Sequence, residues 1–320
     1  MNSNEIISCF GLNTTCDRVN ILFSILNTLN RPHLSEDDEY IYHDWVLVRR
    51  KGIELGFTDS EYQNAAARFR WGRGELLLTQ VYFYSGFNDV QPFTGELPFG
   101  LSFNDNKDAV RIKLATFESN RHSYLNDTWD VDGYRLSVTY KSGGQSINRI
   151  ACRVLAVPIP SVDNLSYPSL ANISNAFGDS IHSTEFVALW GSQLSDEKLQ
   201  EGVEDGEIDF TLSYGATLGL AGEGKSASIF RSITLHRNRN NESAGWGGEL
   251  PQGLLFDDSP EILFRKIKEV PVQHADSALT GHAVWHFIDY TLHVLYSNVD
   301  NRLLRIKLIA PGSWKCIDDE

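Results

Sequence analysis

Residues 219–226 read Gly-Leu-Ala-Gly-Glu-Gly-Lys-Ser, which satisfies the phosphate-loop pattern letter for letter. In that motif glycine amides cradle a polyphosphate at a helix N-terminus, the lysine meets the β- and γ-phosphates, and the serine holds Mg²⁺. The chemistry needs a parallel strand–loop–helix setting. Residues 227–236 instead read as a strand, and no apolar run ending in a second Mg²⁺-binding aspartate appears in the rest of the chain. The string is expected to be a Gly-rich hairpin loop, without a nucleotide or any other cofactor.

His282 and His286 are four apart, with His274 and His293 close by. On a helix that spacing would bring two imidazoles to one zinc ion. The segment reads as a strand, where four residues span roughly 13 Å, so the pair cannot share an ion and no metal is expected. Hydrolytic signatures are missing as well. The chain has no Gly-x-Ser-x-Gly elbow, no cysteine–histidine motif in a recognisable setting, and no paired carboxylates at repeated positions. No catalytic residue is proposed.

The most one-sided stretch is 195–209. There Asp196, Glu197, Glu201, Glu204, Asp205, Glu207 and Asp209 face a single cation, Lys198. Read plainly, such a run is a solvated loop. The other reading is a docking surface that steers a basic partner, with aromatics such as Tyr82, Tyr84, Trp246 and Trp314 as anchors. The stretch has no equivalent of that length in the first copy, which marks it as an elaboration.

Composition narrows the partner. The net charge of −14 disfavours nucleic acid or an anionic membrane surface. The charge is also uneven: residues 1–160 hold 16 Lys/Arg against 19 Asp/Glu, and residues 161–320 hold 12 against 23. No basic, apolar leader or bilayer-length run is visible, and four scattered cysteines do not make a disulfide framework. A cytoplasmic location is expected.

The elements that must position these residues come from a duplication. Residues 95–101 (Gly-Glu-Leu-Pro-Phe-Gly-Leu) recur at 248–254 with one change, Phe99 to Gln252. Phe103, Asp105 and Lys113 recur as Phe256, Asp258 and Lys266. At an offset of 156, Trp129, Tyr134, Leu136, Val138, Tyr140, Arg149 and Ile150 recur as Trp285, Tyr290, Leu292, Val294, Tyr296, Arg305 and Ile306. The domains are expected at 1–158 and 162–312, with modules of about 1–92, 93–158, 162–245 and 246–312, and a tail at 313–320.

Periodicity fills in the elements. Val19, Leu22, Phe23, Leu26 and Leu29 fall on one face of a helix over 16–30. Strands are expected near 40–48, 52–57 and 75–84, the last apolar on both faces. After the connector comes a helix at 107–114, capped by Asp105, and then strands around Trp129, 134–140 and 150–154. The second copy predicts a helix after Pro168 and strands at 185–190, 207–214 and 228–236. A helix capped by Ser259 follows, then strands at 282–287, 290–296 and 303–310. Trp45, Trp129, Trp190 and Trp285 each fall in the first strand of a quarter. The fold class is α+β: four helix-plus-antiparallel-meander modules in two tandem pairs.

In order and spacing this layout resembles the β-lactamase-inhibitory proteins. They also pair two helix-and-antiparallel-sheet modules, related to the small SmpA/BamE lipoprotein domain. The resemblance implies an enzyme gripped by a sheet face, and it carries over no functional residue. In character the chain is similar to bacterial immunity proteins, which block a toxin enzyme, often a basic nuclease. The expectation is a non-catalytic inhibitor that binds a basic effector one to one, at the seven acids of 195–209. The alternative is an enzyme or small-ligand binder using a cleft between the two copies.

Overall fold

A computed structural model of the chain describes residues 2–38, 41–65, 71–118, 120–222 and 228–314. Lys225 and Ser226 of the phosphate-loop string lie outside them, as does Cys316. The chain divides into two compact units, 1–157 and 158–320.

The first unit begins with α1 (Ser3–Ile7) and α2 (Asp17–Leu26), followed by β1 (His43–Val48), β2 (Ile53–Asp59), α3 (Ser60–Gln63) and β3 (Leu76–Tyr84). Its second half holds α4 (Lys107–Lys113), β4 (Asn120–His122), β5 (Asn126–Val131), β6 (Tyr134–Tyr140) and β7 (Ile147–Val154). The second unit runs α5 (Leu170–Asn175), α6 (Thr184–Trp190), α7 (Asp196–Asp205), β8 (Glu207–Phe210), β9 (Ala216–Ala221) and β10 (Ile229–His236). It ends with α8 (Pro260–Lys266), β11 (Gln273–Asp276), β12 (Thr280–His286), β13 (Thr291–Ser297) and β14 (Arg302–Ile309).

Each unit builds one seven-stranded antiparallel sheet. The orders are β1-β2-β3-β7-β6-β5-β4 and β11-β12-β13-β14-β10-β9-β8, the same topology listed from opposite edges. The meanders of two modules fuse where β3 pairs with β7, and where β10 pairs with β14. The α+β class of tandem sheet-plus-helix modules is therefore the observed one. β4 and β11 add a short edge strand to each second module that periodicity did not reveal.

Alternation decides what is core. Leu136 and Val138 of β6, Ile150 and Cys152 of β7, and Val81 and Phe83 of β3 point inward with Phe23 of α2. The second core is assembled likewise from Leu292, Val294, Ile306, Leu308, Ile233 and Leu235. β3 is buried on both faces, because Thr79 and Gln80 on the side away from this core are also covered.

The repeated connector proves to be a latch. Phe99 and Gln252 both take left-handed φ, 54° and 56°, each followed by a glycine of φ 65° or 63°. Lys113 Nζ donates to the Gly100 carbonyl (2.8 Å) and to Asp105 (2.7 Å). Lys266 Nζ repeats this on Gly253 (2.8 Å) and Asp258 (2.8 Å). Asp105 is thus not the helix cap expected from sequence. Its carboxylate receives Ser102 N at 2.7 Å, and Asn106 caps α4. Replacing Lys113 or Lys266 by Met should each cost about 1–2 kcal/mol in urea unfolding, as charge-assisted hydrogen bonds to a carbonyl are lost.

Four further expectations are corrected. α2 stops at Leu26 because Asn27 turns left-handed (φ 51°), which leaves Leu29 95 % exposed. Residues 184–190 form helix α6, not a strand. Ser183 caps it by accepting from Phe186 N, and Phe186 and Trp190, one turn apart, are both buried. Trp190 therefore lies in a helix, and Trp129 and Trp285 lie in the second strands of their modules, β5 and β12. Trp45 does lie in the first strand of its module, but on the outer side at 43 % exposure.

Candidate functional site

The acidic stretch 195–209 is mostly a helix, where the plain reading expected a solvated loop. Ser195 Oγ accepts Lys198 N at 3.2 Å to start α7, and Gly206 stops it with φ 76°. Leu199 and Gly202 form its buried side. A Cβ on Gly202 would lie 2.5 Å from Ile208 Cγ1, so glycine here lets α7 rest directly on β8. Asp196, Glu197, Glu201, Glu204 and Asp205 are all exposed on the helix, and Glu207 and Asp209 are exposed on β8. Five of the acids thus form a ridge on α7, while Glu207 and Asp209 alternate with the core residues Ile208 and Phe210, on which α7 rests, and so face away from the helix.

Lys198 does not neutralise that ridge from its middle. Its Nζ turns back to the Asp209 carbonyl at 2.7 Å and sits 5.3 Å from the Phe210 ring centre. Asp196 and Glu197 suit the positive first turn of a helix. Glu204 and Asp205 oppose the negative last turn, which contains no basic residue. Glu207 and Asp209 have a plain structural use as well, since charge on the edge strand β8 discourages edge-to-edge pairing. Glu204 accepts a long hydrogen bond from Gln200 (3.4 Å), and folding gives no such use for Glu201 or Asp205.

Strand register supplies the equivalences that sequence did not. Trp45 pairs with Gly56 as Glu207 pairs with Gly219, and Leu47 pairs with Glu54 as Asp209 pairs with Thr217. Glu207 and Asp209 thus occupy the places of Trp45 and Leu47. Gly219, the first glycine of the phosphate-loop string, is a strand residue. A Cβ there would lie 2.3 Å from Ser232 Oγ, so a side chain at this position would displace that hydroxyl. Residues 219–221 belong to β9, so the hairpin-loop expectation is corrected for that part of the string.

Sixteen residues (27–42) link α2 to β1, and sixteen (191–206) link α6 to β8. The acidic segment is therefore a restructured connection rather than an added one. The first copy also carries acids here: Glu36 and Asp37 are exposed on a 3-10 turn, Glu36–Asp38. The run Glu36-Asp37-Asp38-Glu39 was the sequence signal for this second acidic segment.

Among the described residues, a group of ionisable side chains converges on Asp127, which is fully buried. Arg111 grips both of its oxygens (2.8 and 2.8 Å), Tyr140 donates at 3.0 Å, and His122 Nδ1 lies at 3.1 Å. Lys107 Nζ is 4.0 Å away and donates to the Ser123 carbonyl at 2.8 Å. Burial alone would raise the Asp127 pKa, but Arg111, His122 and Lys107 outweigh it and hold the group below the usual carboxylate range. Burial and Asp127 together push the Tyr140 hydroxyl well up. The carboxylate is held on every side by its own chain.

The second copy does without that knot. Lys107, Arg111 and Asp127 correspond to Pro260, Phe264 and Ala283, and the Phe264 ring packs near Trp285 and Tyr296, with centres 5.9 and 6.2 Å apart. Tyr140 corresponds to Tyr296, whose hydroxyl donates to Asp276 at 3.1 Å and lies 3.0 Å from His274.

The histidines singled out in the sequence are polar strand residues, with His274 and His286 exposed and His282 and His293 half-buried. His286 Nδ1 meets Thr291 Oγ1 at 2.9 Å, and His282 stands edge-on to His293 at 5.4 Å. Among the described residues no group of three or more His, Cys, Asp or Glu is placed to hold a metal ion. Burial, followed by Arg153, lowers His43 to about 4. Burial, followed by His282, Lys307 and Arg305, lowers His293 to about 4. Both stay neutral in the fold, while an unfolded chain protonates them near pH 6.5. Stability should therefore be flat above pH 6.5 and fall toward pH 4. We expect a loss of about 2 kcal/mol per site, and His43→Gln and His293→Gln should each remove one share of the slope in urea titrations.

Of the proposed aromatic anchors, Tyr84 and Trp246 are corrected to buried residues. Tyr84 donates to Glu54 at 2.5 Å, and Trp246 Nε1 donates to the Glu249 carbonyl at 3.1 Å. Tyr82 is half-buried beneath Arg149, and Trp314 lies against His293 at 5.2 Å. Trp45, which the sequence reading did not offer as an anchor, is an exposed aromatic at 43 %.

No family model matches this chain, and no curated protein matches it. Among solved structures, a DUF4309 family protein (YjgB) from Bacillus subtilis aligns over 36 % of this chain and 94 % of its own. It is 14 % identical with a TM-score of 0.20, a likeness too slight to carry an argument. No helix among the described residues is long and apolar enough to cross a membrane.

Proposed function

We propose that this chain is a non-catalytic inhibitor of the immunity type, which captures a basic effector enzyme one to one and blocks its active site. The supporting observation is the concentration of seven exposed carboxylates on α7 and β8, two of which, Glu204 and Asp205, lie against the helix dipole. Charge kept at a cost to local stability is the mark of a surface selected for something other than folding. A ridge of that sign speeds the encounter with a cationic surface and repels acidic competitors. The duplicated sheets supply rigid platforms for such contacts, as the likeness to the β-lactamase-inhibitory proteins implies.

The reading is tested by using the full chain as bait in an extract of its native host at low salt. A single basic protein should be retained in a one-to-one complex, and its association should slow as salt rises from about 0.05 M to about 0.5 M. An acidic partner, or capture indifferent to ionic strength, would sink it.

A further inference from the structure

We propose that a second contact seats a basic, amphipathic segment of the partner in a groove of the first unit. The inference rests on the reading of the chain as a protein-recognition molecule. The groove holds about 1130 Å³ and lies between α1, the 95–101 connector and the β5–β6 hairpin. That is beyond the ~300–1,000 Å³ of drug-sized pockets and suits a length of peptide.

Its chemistry is one-sided. Ile7, Phe10, Phe99 and Tyr134 offer apolar surface, and Glu96 and Asp132 stand exposed at the rim. No Lys, Arg or His is among the described residues that line it. An apolar floor under carboxylates selects side chains with an alkyl stem and a cationic head, so Lys or Arg alternating with aliphatic residues is the matching class.

Comparison of the copies points to the same place. The seven-residue motif varies at one position only, Phe99 against Gln252, and Phe99 lines the groove. The two residues share the left-handed backbone, so the difference is one of side chain and not of fold. Gln252 is tied to the Tyr290 hydroxyl at 3.1 Å, whereas Phe99 packs edge-on with Phe117 at 5.1 Å beside Tyr134, the counterpart of Tyr290. Asp132 at the hairpin corresponds to Ile288 in the second copy. The aromatic is therefore particular to the first copy, whereas the hairpin acid shifts by one place, from Asp132 to Asp289.

Fluorescence anisotropy with a labelled peptide of alternating Lys and Leu tests this, with an alternating Glu–Leu peptide as control. The full chain should bind the Lys–Leu peptide at least about tenfold more tightly. Phe99→Gln, which installs the second copy's residue in a backbone already shown to accept it, should weaken binding about tenfold. Asp132→Ile should weaken it about threefold and flatten its salt dependence, whereas reversing the α7 acids should change it less than about twofold. Saturable binding unaffected by Phe99→Gln and Asp132→Ile, or no saturable binding, overturns the groove. In either case, continued capture of a basic partner by the full chain leaves the inhibitor reading standing, and loss of that capture condemns the inhibitor reading separately.

Discussion

The triple variant Glu201→Lys/Glu204→Lys/Asp205→Lys should capture its basic partner about 10- to 100-fold more slowly at low salt, and its melting temperature should not fall. The three side chains are exposed on the second half of α7, so their removal breaks no core contact. Reversal changes segment 195–209 by six charges, from a net of −6 to near balance, which acts mainly on the association rate. The gap from wild type should close as salt rises and the screening length shrinks to a few ångströms. Lysines near a helix C-terminus complement the dipole that Glu204 and Asp205 oppose, so thermal stability should hold or rise. Stopped-flow capture and a thermal melt on the same preparation check both halves. Unchanged capture would reduce the ridge to solvation, and a lower melting temperature would mean that folding does use these acids.

The second large effect is structural. Asp127→Ala should destabilise the first unit by about 3–5 kcal/mol, because Arg111 and Lys107 are left facing a site without their counter-charge. The second copy shows an alternative packing at the corresponding place. Lys107→Pro/Arg111→Phe/Asp127→Ala installs its three residues, and proline is well suited to the first position of α4, as it is in α8. We expect this triple variant to return to within about 1 kcal/mol of wild type, since apolar replacement of a buried ion cluster is often neutral. Urea unfolding of the full chain gives both values. A mild effect of Asp127→Ala, or a triple variant no better than the single, would mean that the knot is not what holds β5 to α4.

The parts legible in the sequence are those where side-chain identity survived duplication. Trp129/Trp285 and Tyr134/Tyr290 mark the second module of each unit. Ser259-Pro260 announced α8 through an ordinary capping rule. The first modules share pattern but little identity, and α6 was hidden because Phe186, Val187 and Trp190 also favour strands. The Ser183 cap and the one-turn spacing of Phe186 and Trp190 were the better guide. α7 was obscured by its charge, although Ser195, Leu199 and Gly206 give it a start, a buried stripe and a stop.

The site was legible in the same partial way. All seven acids could be picked out by composition, but not their display on a helix and an edge strand. Their relation to Trp45 and Leu47 needed strand register. The Asp127 knot was invisible. Its members come from α4, β4, β5 and β6, and only Lys107 and Arg111 stand at a spacing that links them along the chain.

The most direct test of the proposed function is an inhibition titration. The captured partner is assayed for its own catalytic activity while the full chain is added. Activity should fall linearly to zero at one equivalent at low salt, with the chain itself consuming no substrate. A partner that keeps its activity when saturated, or a chain that turns over the substrate, would contradict recognition by surface alone.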